Sequence, residues 1–222
     1  MEFVTLTKEE FREFSMKHPM ANFMQTTDLG DLKSNNGIKI DYVGVKEKGK
    51  LLCATLLEEE PSILGKKVFY APRGFLIDYN DFKLLKEFTL KIGEFAKEKN
   101  AIFIKIDPYI SYQERDLDGK IVEGGKDNKK AFQNLVKLGY KHFGFNLMQD
   151  TLQTKDKTVD EVMKGMDSKT RQIIRKNERL CITTREISYD ELPIFKDIMQ
   201  HTGDRRNFID RPLSYYQNMY KT

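Results

Sequence analysis

The 222-residue chain is 39% hydrophobic and 32% charged, and 38 basic against 34 acidic side chains leave a net charge of +4. Fifteen Phe and ten Tyr residues supply apolar surface that disordered segments lack, so we expect a folded chain with a real core. No window approaches the roughly 18 consecutive apolar residues of a transmembrane helix. The N-terminus also lacks the apolar stretch of a signal peptide, which predicts a cytoplasmic protein.

The first part of the chain predicts a helix and then a hairpin. A capping-box spacing at residues 7–10, followed by Phe11 and Phe14, predicts a helix from about residue 8. The residues 47–49 (EKG) lie between two strand-like runs, which predicts a hairpin. A third run is broken by the Pro and Gly of residues 71–74. The three strand-like runs are 39–46, 51–57 and 67–70.

An amphipathic helix is predicted over 80–99, because apolar residues recur there every three or four positions with Lys and Glu between them. A short apolar strand, 101–106, follows and stops at Asp107-Pro108. We expect the helix to pack on a central sheet through its apolar stripe. The stripe consists of Phe82, Leu85, Phe88, Ile92, Phe95 and Ala96.

The remaining elements mix helices and strands, which places the fold in the α/β or α+β class. The polar, glycine-bearing residues 113–128 predict a loop. The other predicted elements are a helix at 129–138, a strand at 140–149, two helices within 157–179, a strand at 182–187, a helix at 189–201 and the start of a helix at 212–221.

Cysteine and histidine patterns exclude the common metal sites. Cys53 and Cys181 lie in apolar contexts without a CxxC spacing, which predicts buried, reduced thiols. The histidines His18, His142 and His201 show no HExxH or related ligand spacing. We therefore expect neither a metal nor a cofactor.

Glycine spacing argues against several nucleotide-dependent activities. None of the fourteen glycines is separated from another by a single residue, so neither GxGxxG nor the Gly-x-Gly loop of coenzyme A acetyltransferases is present. Residues 119–126 approach a P-loop but have one residue too many and lack the Ser or Thr after Lys. GxSxG is also absent. Nucleotide hydrolysis and acetyl-CoA chemistry thus lose support.

The excess positive charge lies in the last quarter of the chain, where residues 169–222 hold eleven basic and seven acidic side chains. Arg171, Arg175 and Arg179 recur at every fourth position and form a basic ridge on one face of a predicted helix. Such a ridge suits a phosphate backbone, because each guanidinium can hold two phosphate oxygens. An ordinary solvated helix face remains the alternative.

Three further segments have both a functional and a plain structural interpretation. Asp107 could project from a rigid strand end into a cleft, or could form an Asp-Pro turn. Residues 71–74 (APRG) could be a simple strand-end turn. The segment 202–216 holds three arginines and two tyrosines around a helix entry at Pro212, so it could bind an anion or form a salt-bridged junction.

Five segments together resemble a known family. They are Phe23-Met24-Gln25-Thr26 with Gly30 and Lys33, Ala71-Pro72-Arg73-Gly74 with Asp78, residues 104–108, Lys169-Thr170-Arg171 through Arg175-Lys176, and 205–216. In this order the chain resembles the FemABX family of peptidoglycan bridge-forming aminoacyltransferases over nearly its whole length. The resemblance implies two GNAT-like domains of mixed α/β fold, a first at 1–148 and the beginning of a second at 149–222. Since the sequence stops inside a helical pattern without a Gly cap, we expect a fragment of a longer protein.

The resemblance also implies an activity, the transfer of an amino acid from aminoacyl-tRNA to the stem peptide of a peptidoglycan precursor linked to a lipid or to UDP. Lys33 and Arg211 would hold the precursor phosphates, and Asp107 would act catalytically near the stem peptide. The other implied substrate-binding residues are Arg73, Tyr215 and Tyr216, and the implied tRNA-binding residues are Lys169, Arg171, Arg175 and Lys176. Peripheral contact with the inner membrane leaflet is left open. The alternatives are a non-catalytic tRNA- or RNA-binding domain that uses the basic helix 169–179, and a GNAT-like N-acyltransferase acting on another amine.

Overall fold

Five strands form one sheet in the computed structural model, which describes residues 1–62, 65–116, 118–144 and 157–222. The strands lie side by side in sequence order, and every neighbouring pair is antiparallel except the last, which is parallel. This mixed sheet confirms the predicted hairpin and the strands predicted at 67–70 and 101–106. The strands are β1 Glu2–Thr5, β2 Lys39–Glu47, β3 Lys50–Pro61, β4 Lys67–Ala71 and β5 Ala101–Ile106.

The helices complete a mixed α/β fold, as the sequence predicts. Those within residues 1–144 are α1 Lys8–Lys17, α2 Thr27–Asn35, α3 Phe82–Glu98 and α4 Lys129–Lys137. Those that follow are α5 Val159–Gly165, α6 Ser168–Arg179, α7 Leu192–Arg206 and α8 Leu213–Lys221. Short 3₁₀ turns at Phe23–Gln25 and Tyr189–Glu191 precede α2 and α7. The chain divides into one unit of Met1–Gly144 with Ser214–Thr222 and a second of Phe145–Leu213.

The two faces of the sheet carry different helices. Side chains alternate between faces along β3, so Leu57 joins the core under α3 while Leu56 joins a second cluster that includes Phe11 of α1. Leu85, Phe88 and Ile92 of α3 are fully buried in the first core. The predicted stripe is wrong at Phe82, which is 39% exposed because it lies in the first turn of α3, where Leu84 takes the buried position.

Helix α3 connects the two parallel strands and thereby fixes where their ends lie. A connection between adjacent parallel strands must cross over the sheet, and a helix is its usual form. Both strands then finish at the same edge, so the residues that follow β4 and those that follow β5 are spatial neighbours. The β2–β3 hairpin is closed by Lys48 and Gly49, both with positive φ (49° and 79°), as a tight two-residue turn requires.

Three sequence predictions differ from the structure, wholly or in part. No strand forms at 182–187, because a strand needs a hydrogen-bonded neighbour and these mostly exposed residues have none in the part of the chain that the structure describes. Cys181 is exposed rather than buried, since it occupies the turn after α6 with φ 54°. Residues 140–144 are not strand, and 145–149 of the same prediction lie outside the described residues. Cys53 is buried as predicted, and burial raises the pKa of its thiol to about 12.

In the second unit, the segment after α7 folds back against that helix. Asn207 adopts a left-handed conformation with φ 56°, and the Phe208 amide donates to the Gly203 carbonyl at 3.0 Å. The Lys196 ammonium of α7 lies 2.6 Å from the Asp210 carboxylate, whose side chain is buried. These contacts fix the backbone immediately before Arg211.

Candidate functional site

The parallel strand ends bring Arg73 and Asp107 together. Arg73 follows β4 and Asp107 follows β5, and the Arg73 backbone N–H donates to Asp107 Oδ1 at 2.7 Å. The Arg73 guanidinium lies 4.0 Å from Asp107 Oδ2 and stacks over the Tyr109 ring at 5.5 Å. Asp107 therefore links the end of β5 to the end of β4. An aspartate that only formed an Asp-Pro turn would contact its own loop and not the neighbouring strand end.

A tyrosine hydroxyl reaches the same carboxylate from within the sheet. The Tyr70 phenol of β4 is hydrogen-bonded to Asp107, and burial, together with that carboxylate's charge and hydrogen bond, raises the pKa of Tyr70 well above its usual range. The phenol thus stays protonated at neutral pH and donates. The Lys105 ammonium of β5 lies over the Tyr70 ring at 4.8 Å, on the sheet face that carries α1 and α2.

Lys33 of α2 forms an ion pair with a buried glutamate that sequence reasoning missed. Its Nζ lies 2.8 Å from Glu58 Oε2, and the two side chains are 27% and 1% exposed. Glu58 of β3 is the register partner of Tyr70, so the Lys33 pair lies next to the Asp107 group. The only sequence signal for Glu58 is its place at the end of an apolar strand run, where it precedes two further glutamates.

Burial is the main cause of the unusual electrostatics of Glu58. It raises the pKa of the Glu58 carboxyl, the ion pair with Lys33 lowers it in part, and the negative charges of Glu60 and Asp107 raise it further. Only Oε2 meets Lys33, since Oε1 has no hydrogen-bond partner among the described residues. A buried carboxylate that is only partly compensated is a common feature of functional sites.

Gln25 positions α2, and hence Lys33, over the sheet. Its side-chain Oε1 accepts from the Leu56 amide at 2.9 Å and its Nε2 donates to the Pro72 carbonyl at 2.7 Å. The Gln25 side chain is 1% exposed. It bridges β3 and the turn after β4 as a backbone peptide group would, with one acceptor and one donor. Helix α2 then approaches β2 so closely at Gly30 that a Cβ there would lie 2.0 Å from the Tyr42 hydroxyl oxygen.

The predicted tyrosines belong to the same unit as Lys33. Tyr215 and Tyr216 lie on α8 with their rings edge to face at 5.8 Å, and Tyr216 is buried. Asn218 of α8 donates to the Asn35 carbonyl at 3.0 Å, at the C-terminal end of α2. Helix α8 thus contacts the end of the helix that carries Lys33.

Arg211 lies in the second unit, exposed and directly after the anchored Asp210. The role of Lys33 and Arg211 in holding the same precursor phosphates stays a prediction.

The basic ridge forms as predicted on α6, although two of its arginines donate to backbone carbonyls. Arg179 Nε donates to the Arg175 carbonyl at 3.3 Å. Arg171 Nη1 donates to the Met166 carbonyl after α5. Lys169, Arg175 and Lys176 are exposed. An open depression of about 580 Å³ follows this face, lined by Ser168, Arg171, Gln172, Arg175, Glu178 and Arg179.

The described residues contain neither a grouped set of metal-binding side chains nor a membrane-spanning helix. Within 1–62, 65–116, 118–144 and 157–222, no three His, Cys, Asp or Glu side chains are grouped as a metal site would require. Over the same residues, no helix combines the length and apolar character needed to cross a membrane.

Comparisons with known proteins assign the chain to a family. The FemAB family model matches residues 6–222. The aminoacyltransferases FemA of Staphylococcus aureus strains bovine RF122 / ET3-1 and MRSA252 are each 32% identical over 231 residues, covering 100% of this chain and 55% of their own length. A crystal structure of FemX matches with a TM-score of 0.74 at 28% identity, covering 100% of this chain and 54% of that one. The chain therefore spans about half the length of the curated relatives it matches, and it belongs to the FemAB family.

Proposed function

We propose that this chain carries the acceptor-binding part of an aminoacyltransferase that builds peptidoglycan bridges. The observation that carries the proposal is the adjacent placement of the Lys33 ion pair and the Asp107 group in a member of the FemAB family. Lys33 has a partly exposed side chain, whose ammonium would bind phosphate oxygens. Asp107 offers a fixed carboxylate to an amine.

In the proposed reaction, Asp107 orients the attacking amine of the stem peptide. Asp107 accepts from the Arg73 amide and the Tyr70 hydroxyl, and the negative charge of this fixed carboxylate would attract the ammonium of the acceptor. A free lysine-type amine has a pKa near 10.4 and must lose a proton before it attacks the ester. The Asp107 carboxylate would hold the ammonium and accept that proton as a general base, and the tRNA hydroxyl that leaves the ester would take up a proton. Because the aminoacyl ester is already activated, orientation of the two substrates supplies most of the acceleration.

The second unit supplies the proposed donor side. The exposed cations Lys169, Arg175 and Lys176 of α6 would contact the phosphates of aminoacyl-tRNA, and Arg171 would join them while it holds the end of α5. Arg211 would share the acceptor phosphates with Lys33, and Tyr215 or Tyr216 would line the same cleft. In this proposal 1–148 and 149–222 belong to successive GNAT-like domains. The use of aminoacyl-tRNA would keep the protein in the cytoplasm, where a lipid-linked acceptor would draw it to the inner membrane leaflet.

The test uses the full-length protein with aminoacyl-tRNA and a muropeptide precursor. Lys33→Ala and Arg211→Ala should weaken precursor binding and leave aminoacyl-tRNA binding intact, because the phosphates belong to the acceptor. Asp107→Asn should lower turnover more than precursor affinity, since it keeps the shape and removes the charge. Lys86→Ala, at an exposed position of α3 on the other sheet face, is the matched control. Unchanged precursor affinity in both cation variants would overturn the proposal.

A further inference from the structure

Two neighbouring glutamates of β3 are both buried but have opposite electrostatic environments. Glu59 faces the α3 side of the sheet, where three lysine ammonium groups surround its carboxylate, from Lys39 at 2.7 Å, Lys67 at 2.6 Å and Lys99 at 3.2 Å. Burial alone would raise the pKa of Glu59, but these partners lower it to about 2. Glu58 faces the α2 side, where its carboxylate has one cation, Lys33, on one oxygen.

The Lys33–Glu58 pair is asymmetric in its exposure. Glu58 is inaccessible at 1%, whereas Lys33 keeps 27% of its side chain in contact with solvent. The Lys33 side chain is therefore in part open to solvent, whereas the carboxylate beneath it is not. Since Glu58 pairs in register with Tyr70, the partner of Asp107, a polar ligand bound at Lys33 would lie beside the proposed amine site.

We propose that Glu58 sets the anion affinity of Lys33 by competing with the bound anion for the same ammonium. The inference rests on the proposed role of Lys33 as a phosphate-binding residue. The buried carboxylate holds Lys33 in place, and its negative charge repels a phosphate that approaches the other side of the ammonium. This repulsion grows with the charge of the ligand, so Glu58 weakens the binding of a diphosphate more than that of a singly charged anion.

The expected effect follows from Coulomb's law. A phosphate on the far side of the ammonium would lie roughly 5–6 Å from the Glu58 carboxylate, where partly solvated like charges repel enough to change affinity by roughly three- to tenfold. Glu58→Gln keeps the side-chain volume and one oxygen that can accept from Lys33, and it removes the charge. The variant should therefore bind diphosphate more tightly, with a smaller gain for a singly charged anion.

The test titrates inorganic pyrophosphate into the 222-residue chain by isothermal calorimetry. Glu58→Gln should lower the dissociation constant roughly three- to tenfold, and the double variant Lys33→Met/Glu58→Gln should lose this gain. The double variant also avoids leaving a buried, unpaired carboxylate, so that it tests binding rather than folding. Glu60→Gln is the matched charge control, because Glu60 lies on the same strand and face but is exposed.

The outcomes separate this inference from the proposed function. Pyrophosphate binding that requires Lys33 but is equal in wild type and Glu58→Gln would overturn the inference alone. Equal gains in Glu60→Gln and Glu58→Gln would also overturn it, because the effect would then be general surface charge. Binding that persists unchanged in the double variant, or no binding by any variant, would overturn the phosphate role of Lys33 and the inference with it.

Discussion

Replacement of Gln25 by Leu should destabilise the first unit strongly, because the Gln25 side chain forms, with two backbone groups, hydrogen bonds that a neighbouring strand would otherwise supply. In β3, the Leu56 amide has Gln25 Oε1 as its acceptor at 2.9 Å, and the Pro72 carbonyl has Gln25 Nε2 as its donor at 2.7 Å. Thr55 also donates to Gln25 but has a second acceptor in the Leu56 carbonyl at 3.1 Å. The substitution therefore leaves two buried backbone groups without these partners.

The size of the effect follows from those two groups. A buried polar group without a partner costs about 1–3 kcal/mol, so two give a loss of about 2–6 kcal/mol in the free energy of unfolding. Leucine has a similar volume, so a cavity adds little. Such a loss is a large fraction of the 5–15 kcal/mol that is typical of a domain. Because Gln25 positions α2, part of the loss should appear as weaker binding at Lys33.

Urea unfolding followed by circular dichroism measures the change, with the midpoint and slope compared between wild type and variant. Gln133→Leu is the matched control: it makes the same chemical change at an exposed position of α4 and should stay within about 0.5 kcal/mol of wild type. If Gln25→Leu lowers the free energy of unfolding by less than about 1 kcal/mol, and so behaves like the control, the argument that Gln25 completes the backbone pairing is refuted.

Three further predictions concern other contacts. The pKa of Glu59 is about 2, against an ordinary value of 4.5, so its ionised carboxylate stabilises the fold by about 3 kcal/mol above pH 4.5, and this stabilisation is lost as the pH falls towards 2. Urea unfolding between these pH values should show a smaller loss of unfolding free energy in Glu59→Gln than in wild type, and an equal loss in the two proteins would contradict the prediction. Gly30→Ala should lower the melting temperature, because its Cβ would lie 2.0 Å from the Tyr42 hydroxyl oxygen, and Tyr42→Phe should rescue part of the loss in a double-mutant cycle. Arg171→Ala should destabilise the α5–α6 junction in thermal unfolding by about 1–2 kcal/mol, whereas Arg175→Ala, lacking that carbonyl contact, should not; equal effects would count against the assignment.

Elements with a strong local pattern could be predicted from the sequence. Helix α1 has a complete capping box at Thr7 and Glu10, and α3 has a long apolar stripe, so each is specified by residues close in sequence. Helix α2 was missed because its nine residues include a glycine and little amphipathic pattern. Its stability comes from packing: Gly30 allows the close approach to β2, and Gln25 fixes its start.

The site was predictable only in part for the same reason. Asp107 could be singled out because it ends an apolar strand before a proline, and Lys33 followed from a family resemblance. Glu58 could not be found, since its burial depends on strand register with Tyr70 and on coverage by α2. Both are contacts between residues distant in sequence, which local periodicity does not report.

The charges of the site explain why binding there should be selective. Lys33 and Arg73 contribute two positive charges and Glu58 and Asp107 two negative charges, and each already has an opposite charge nearby. In the proposed reaction the acceptor brings phosphates to Lys33 and an amine to Asp107, so binding exchanges internal ion pairs for external ones. The net affinity is then the difference between two similar energies. A ligand with only a phosphate or only an amine weakens one of the two internal ion pairs and gives nothing to the other. A ligand with both groups pairs with Lys33 and with Asp107 at once, so the charges of the whole site stay balanced.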